Sequence, residues 1–243
     1  MRGLTLRDLA TPAALLALSA VPMIGGAARM VSLSGPVTAE SARFHGSPAP
    51  IVAHVVGATL YAVLGSAQFS RGLRARWPAW HRRVGRVAAA AGLLCGLSGL
   101  WMTSRYAIPV GMQGSLLYVA RWVVGVAMVA SLVAGVVAVL RGRIPQHEAW
   151  MTRAYALAMG AGTQALVLGP WTILTGESTG LTRDLLMTAS WAINALLAER
   201  WIQRAENAQR GGARRIDVAA ASSGSWARLA SWAKSTRTGA SAS

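Results

Sequence analysis

Apolar residues form six blocks along the chain, and short polar or arginine-rich stretches separate these blocks. An α-helix rises about 1.5 Å per residue, so roughly twenty apolar residues are needed to cross about 30 Å of hydrocarbon. The blocks are apolar on every face, which excludes the alternating pattern of membrane β-strands. The sequence therefore predicts an all-α, polytopic transmembrane helical bundle of about six helices, at residues 9–28, 50–69, 84–103, 116–140, 154–175 and 185–202.

The composition divides the chain into two parts. Residues 1–204 contain all the apolar blocks and should form one transmembrane helical domain, whereas residues 205–243 are rich in Arg, Ala, Ser and Gly. A segment of that composition buries too little apolar surface to fold alone, which predicts a mobile, basic cytoplasmic tail. Residues 1–28 also have the pattern of a cleavable signal peptide, with Arg2 and Arg7 before the apolar block. In both interpretations residue 30 lies outside the cytoplasm.

An internal repeat relates the second and third helices to the fourth and fifth. The segment LRARWP at residues 73–78 recurs as LRGRIP at residues 140–145, and a histidine follows each copy, His81 or His147. Each proline lies where a helix begins, because its missing N–H is not needed there. We interpret helices 2–3 and 4–5 as duplicated helical hairpins. In the same register His54 corresponds to Arg121, so any symmetry at that position has been lost.

The net charge of +16 follows the boundaries of the predicted helices. Residues 70–86, between the second and third helices, contain six arginines and no acidic residue, and the connection after the fourth helix adds Arg141 and Arg143. The positive-inside rule therefore predicts that both termini are cytoplasmic, which in a bacterium means the cytoplasmic (inner) membrane, with anionic lipid headgroups beside residues 70–86. Membrane topology accounts for the charge, so no nucleic-acid partner is expected. The sequence does not indicate an oligomeric state.

Ionisable residues in an apolar bundle are costly and are therefore the first candidates for function. His81 and His147 follow their prolines at similar depth, at the starts of two different helices. Two neutral imidazoles that face each other from separate helices are candidate axial ligands of haem b, with nearby arginines at the propionates. The alternatives are a metal site that adds Glu148 to the pair, and a structural role at the lipid interface. Glu148 is also expected to pair with Arg141 or Arg143.

Other polar residues lie within the predicted spans. His54 is a weaker cofactor ligand candidate near the outer side, and a hydrogen-bonded packing role is its alternative. A second group would form the interior of a transporter or small-ligand binder, with Arg153 and Glu199 as a candidate ion pair or proton relay; this group is Arg121, Arg153, Gln164 and Glu199. No nucleotide-binding loop, nucleophile elbow or paired-cysteine zinc motif occurs, so soluble-type catalysis is not indicated.

Several segments resemble one known family. They are RFHGSP at residues 43–48, His54, LG at 64–65, QF at 68–69, LR at 73–74, WHRRVGR at 80–86, SGLWMT at 98–103, HEAWMTRAYA at 147–156, and Glu199. Over roughly residues 40–202 the chain resembles the bacterial membrane family catalogued as domain of unknown function 2306. The resemblance implies a bacterial polytopic membrane protein without an assigned activity. Glu148 departs from the family pattern, which favours arginine there.

Three classes of function are consistent with these features. The first is a haem-binding electron carrier, because hairpins with histidines at helix starts also resemble, in form only, b-type membrane cytochromes and ferric reductases. The second is a transporter or binder of a small molecule or ion. The third is a non-catalytic membrane scaffold in which every polar residue is structural.

Overall fold

The computed structural model describes residues 5–38 and 41–238, and helices make up most of these residues. No strand occurs within the described ranges, so the prediction of an all-α protein is confirmed. The helices in these ranges are α1 (Leu6–Ser32), α2 (Ala42–Gly46), α3 (Pro48–Gln68), α4 (Arg71–Arg76), α5 (Pro78–Arg105), α6 (Ser115–Leu140), α7 (Ile144–Ala158), α8 (Gly160–Thr175) and α9 (Gly180–Thr238).

Five helical segments of the described chain are long and apolar enough to cross a membrane. They correspond to the first five predicted spans, and the sixth, residues 185–202, is helical within α9. The prediction of a polytopic bundle of about six helices is therefore confirmed. The five segments are Asp8–Ser32, Pro48–Gln68, Pro78–Arg105, Ser115–Leu140 and Ile144–Thr175.

The chain divides into two compact units, Met1–Ala198 and Glu199–Ser243, and the boundary falls inside α9. The predicted tail, residues 205–243, is helical as far as Thr238, the last residue of α9. Residues 239–243 lie outside the described residues. The mobility of the tail and its boundary at residue 205 stay predictions.

Both predicted hairpins are present in the first unit. Helix α3 packs most extensively on α5, α6 packs on α7, and α5 joins the hairpins through α6. The α3–α5 contact requires glycine at position 57, because a Cβ there would lie 2.9 Å from the carbonyl oxygen of Ala91 and from the amide nitrogen of Cys95. Small residues allow membrane helices to approach closely, which replaces the hydrophobic driving force that lipid does not supply.

Buried side chains from both hairpins form a common core. Tyr155 of α7 is at its centre, since its ring centroid lies 5.3 Å from that of Tyr61 and 5.0 Å from that of Phe69. The Tyr155 hydroxyl donates a hydrogen bond of 2.8 Å to the carbonyl oxygen of Ala62, so the buried phenol is satisfied. The core residues are Tyr61, Ala62, Ala88, Ala91, Cys95, Met128, Leu132, Ala154, Tyr155 and Met159.

The fifth span is interrupted, although the sequence predicts one continuous helix over residues 154–175. Helix α7 ends at Ala158, Met159 caps it, and α8 begins at Gly160. Asn194 of α9 donates a hydrogen bond of 3.1 Å to the carbonyl oxygen of Ala156 and accepts one of 2.8 Å from the Thr163 hydroxyl. A side chain of the neighbouring helix α9 thus hydrogen-bonds to a backbone carbonyl at the interruption. A broken helix in a membrane requires such partners for its freed backbone groups.

Candidate functional site

The repeat builds the same local geometry at the starts of α5 and α7. Each helix contains a proline in its first two residues and a histidine at its fourth residue, His81 or His147. Each histidine backbone N–H donates a hydrogen bond of 3.0 Å to the carbonyl oxygen of the capping residue, Trp77 or Arg143. We call the end of the bundle that contains α4 and these two first turns the histidine end.

The side chain of His147 is held in one orientation. Its Nδ1 lies 2.9 Å from the carbonyl oxygen of Gly135 in α6. A carbonyl only accepts hydrogen bonds, so Nδ1 carries the proton and Nε2 keeps its lone pair. His81 lies within electrostatic range of His147, and both side chains are half-buried. The structure therefore places both predicted histidines at the histidine end of the bundle.

An ion pair joins the two hairpins beside these histidines. A guanidinium nitrogen of Arg74 lies 2.6 Å from a carboxylate oxygen of Glu148. This corrects the predicted pairing of Glu148 with Arg141 or Arg143, because Glu148 of α7 pairs with Arg74 of α4 instead. Because the two side chains are 40% and 42% exposed, the pair orients them without contributing much stability.

The predicted metal ligands His81, His147 and Glu148 do not form one three-ligand site. Within the described residues no group of three or more His, Cys, Asp or Glu side chains could hold a metal ion. Glu148 is instead engaged by Arg74. Two histidines without a third protein ligand fit an iron whose other ligands come from a porphyrin better than they fit a bare ion.

His54, the weaker cofactor ligand candidate, lies on α3 and bonds to α5. Its Nδ1 is 3.0 Å from the carbonyl oxygen of Cys95 and 3.4 Å from the Ser98 hydroxyl oxygen. His45, by contrast, bonds through Nδ1 to the carbonyl oxygen of Ser41 at 3.1 Å. His54 and His45 therefore have separate partners.

A cavity of about 270 Å³ lies next to His54, between α1, α3, α5 and the junction of α7 with α8. Its wall includes Tyr61 and Cys95 from the core and Ser19 from α1. The Ser19 hydroxyl lies 3.2 Å from the Met159 sulfur, so α1 contacts the junction directly. The interruption of the fifth span and the cavity are thus parts of one region.

The other polar residues singled out in the sequence make the following contacts in the described part of the chain, and the pairing of Arg153 with Glu199 stays a prediction. Arg121 of α6 bonds to the side-chain oxygen of Gln113, which precedes the same helix. The Arg153 guanidinium lies 4.8 Å from the ring centroid of Trp150, a cation–π contact. Gln164 is buried and donates a hydrogen bond of 3.3 Å to the carbonyl oxygen of Met187. Glu199 belongs to the second unit.

Asp184 has a role that sequence reasoning missed. It is 2% exposed, and its two carboxylate oxygens accept hydrogen bonds of 2.9 and 3.0 Å from the backbone N–H groups of Gly114 and Leu117. The carboxylate therefore caps the N-terminus of α6, whose own capping residue is a glycine. The sequence signal was an acidic residue at the edge of the last apolar block.

A family match covers most of the bundle. Residues 51–202, more than half of the chain, match the family described as a predicted membrane protein, DUF2306. The chain belongs to the DUF2306 family. The DUF2306 match confirms the resemblance inferred from the motifs and includes His54, His81 and His147, whereas α1 and the residues after 202 lie outside it.

Together with its apolar helices, membership of DUF2306 makes this a multi-pass membrane protein. The family description names no ligand, reaction or partner. No curated protein and no solved structure matches the chain.

Proposed function

We propose that this protein binds one haem b between His81 and His147 and transfers electrons within the membrane. The observation that supports the proposal is that the equivalent histidines of the two hairpins lie at one end of the bundle, within electrostatic range of each other. A bis-imidazole haem needs this arrangement, because its two axial ligands approach the iron from separate helices.

The orientation of His147 suits an axial ligand. Its Nδ1–H is bonded to the Gly135 carbonyl, so Nε2 is the nitrogen that would bind iron. A hydrogen bond of this kind fixes the ring and raises the basicity of the ligating nitrogen. His81 would supply the second Nε2 from the opposite face of the porphyrin.

The surroundings of the two histidines suit the haem propionates. Arg82 follows His81, and Arg141 and Arg143 precede His147; all three side chains are exposed at the histidine end. An arginine fork binds a carboxylate through two parallel hydrogen bonds. Glu148 is neutralised by Arg74 and therefore does not repel the propionates.

A six-coordinate iron with two histidine ligands has no open position for a substrate. The chemistry that such a centre supplies is the gain and loss of one electron. The protein's own residues would set the reduction potential through the two imidazoles, their hydrogen bonds and the neighbouring arginines. An electron carrier is therefore the role that we assign to the site.

The experiment is the visible spectrum of the full chain, purified in mild detergent from cells supplied with a haem precursor. We expect a Soret band, sharpened α and β bands on reduction with dithionite, and about one haem per chain. His81→Ala and His147→Ala should lose most of the bound haem, whereas His45→Ala should keep it, since His45 bonds only to Ser41 near the outer side. A colourless protein from haem-replete cells, or haem retained fully in both site variants, would contradict the proposal.

We further propose the orientation that the arginines predict, with the histidine end at the cytoplasmic face of a bacterial inner membrane. Arg71, Arg76, Arg82, Arg83 and Arg86 are exposed at that end, where anionic headgroups would attract them. A fluorescent protein that matures only in the cytoplasm, fused after residue 243, should be bright. A dark fusion with normal expression, together with activity of a periplasmic reporter at the same site, would reverse the assignment.

A further inference from the structure

In the mainly apolar wall of the cavity, His54 offers an imidazole nitrogen as a hydrogen-bond acceptor. The Nδ1 of His54 donates to the Cys95 carbonyl, so Nε2 is left with its lone pair. The Ser98 hydroxyl donates to the carbonyl oxygens of Leu94 and Cys95 at 2.6 and 3.0 Å, which occupies the nearest side-chain donor. Histidine at this position can therefore accept a proton or a hydrogen bond from a molecule in the cavity.

Small residues from three helices are among those that line the cavity: Gly26 of α1, Ala58 of α3 and Gly162 of α8. A cavity of about 150 Å³ in a protein core is enough to bind benzene. The volume here, about 270 Å³, therefore fits one substituted ring and is too small for most drug-sized ligands.

The lining of the cavity also includes one charged residue. This residue is Arg29, and the guanidinium of Arg29 lies 4.7 Å from the ring centroid of Phe44. Thr59 and Tyr61 add two hydroxyl groups to the wall. An apolar ring with one hydroxyl group matches this lining, since the ring replaces apolar contacts and the hydroxyl finds the imidazole.

We propose that the cavity binds a small phenol-class molecule, with its ring between α1, α3 and α8 and its hydroxyl donating to Nε2 of His54. The site lies apart from His81 and His147, and its occupancy does not depend on haem. The helix interruption at Met159 forms one wall of the cavity, as is common where membrane proteins bind small molecules. This gives His54 a binding role in addition to its bond with α5.

The test compares 4-ethylphenol with 4-ethylanisole, its methyl ether, which has similar shape but no hydroxyl donor. Binding to the full chain in detergent is measured by calorimetry, corrected for partition into empty micelles, and by the shift in unfolding temperature. We expect the phenol to bind about tenfold more tightly than the ether, as one buried hydrogen bond to the imidazole would give.

Two variants separate the hydrogen bond from the cavity. His54→Leu should remove the preference for the phenol, and Ala58→Phe should abolish binding of both compounds by filling the space. Ala58→Phe leaves His54 and its bond to Cys95 in place. Equal affinity for phenol and ether in the natural sequence, no binding of either, or an unchanged preference in His54→Leu would overturn the proposal.

Discussion

The two hairpins begin their second helices in the same way but are linked at opposite ends. In the α3–α5 hairpin the polar contact between helices is His54 to the Cys95 carbonyl, far from the connecting loop. In the α6–α7 hairpin it is His147 to the Gly135 carbonyl, close to the loop. The difference teaches that a shared loop and helix start do not determine where the two helices of a hairpin are joined.

The hairpins also exchange large and small residues near their loops. In the first, Gln68 of α3 faces Gly85 of α5, since a Cβ at Gly85 would lie 3.2 Å from the Gln68 side-chain oxygen. In the second, Gly135 of α6 faces Met151 of α7, which would meet a Cβ at Gly135 at 2.7 Å. Gly85 and Met151 both lie four residues after their histidines. Each pair thus combines one large and one small residue, in opposite order.

The second helices differ in continuity. Helix α5 runs unbroken from Pro78 to Arg105, whereas the corresponding span in the second hairpin stops at Met159 and resumes in α8. The interruption exposes backbone to Asn194 of α9 and creates one wall of the cavity. The regular hairpin therefore supplies the core, and the interrupted hairpin supplies the irregular backbone at which binding sites form.

The largest expected loss of stability comes from forcing α3 and α5 apart. Gly57→Ala places a methyl group 2.9 Å from backbone atoms of α5, which are not free to move aside. We expect a loss of about 2–3 kcal/mol in the free energy of unfolding, measured in detergent with a chemical denaturant. Gly25→Ala is the control, because its Cβ would meet nothing within 4 Å. Similar losses in both variants would show that the α3–α5 contact is less close than described.

A smaller loss of stability should come from placing the large residue on α5 and the small residue on α3, which is the arrangement in the second hairpin. Gly85→Met alone should cost about 1–2 kcal/mol by overpacking against Gln68. Adding Gln68→Gly should recover much of that loss, since the double variant restores one large and one small residue. A double-mutant cycle measures the coupling. Purely additive free energies would mean that the two positions do not pack against each other.

The smallest effect should come from the ion pair between the hairpins. Arg74→Met should cost less than about 1 kcal/mol, because both partners are substantially exposed. The loss should shrink further as salt is raised, and Arg71→Met, whose side chain is exposed and makes no ion pair in the described residues, should cost less. A loss of several kcal/mol, independent of salt, would indicate a buried pair instead.

The sequence predicted the spans, the hairpins and the placement of both histidines because each depends on local patterns. Apolar length defines a membrane helix, and a proline three residues before His81 fixes that histidine in the first turn. These local signals required no knowledge of which helices are neighbours.

The features that the sequence did not reveal depend on residues far apart in the chain. Glu148 pairs with Arg74 rather than with a nearby arginine, and Asp184 caps a helix that begins at residue 115. The interruption at Met159 leaves backbone groups that need a partner, and Asn194 supplies one from another helix. The glycine that follows, Gly160, did not by itself indicate an interruption. The cavity is lined by residues of α1, α3, α5 and the junction of α7 with α8, and no single segment encodes that arrangement.

The most direct test of the central claim is electron paramagnetic resonance of the oxidised, haem-loaded protein at low temperature. Two axial histidines from the two hairpins predict a low-spin ferric signal in the natural sequence. In His147→Ala, any haem that remains should give a high-spin signal, because one strong axial ligand is gone. A high-spin signal in the natural sequence, or a low-spin signal unchanged in both His81→Ala and His147→Ala, would contradict the account.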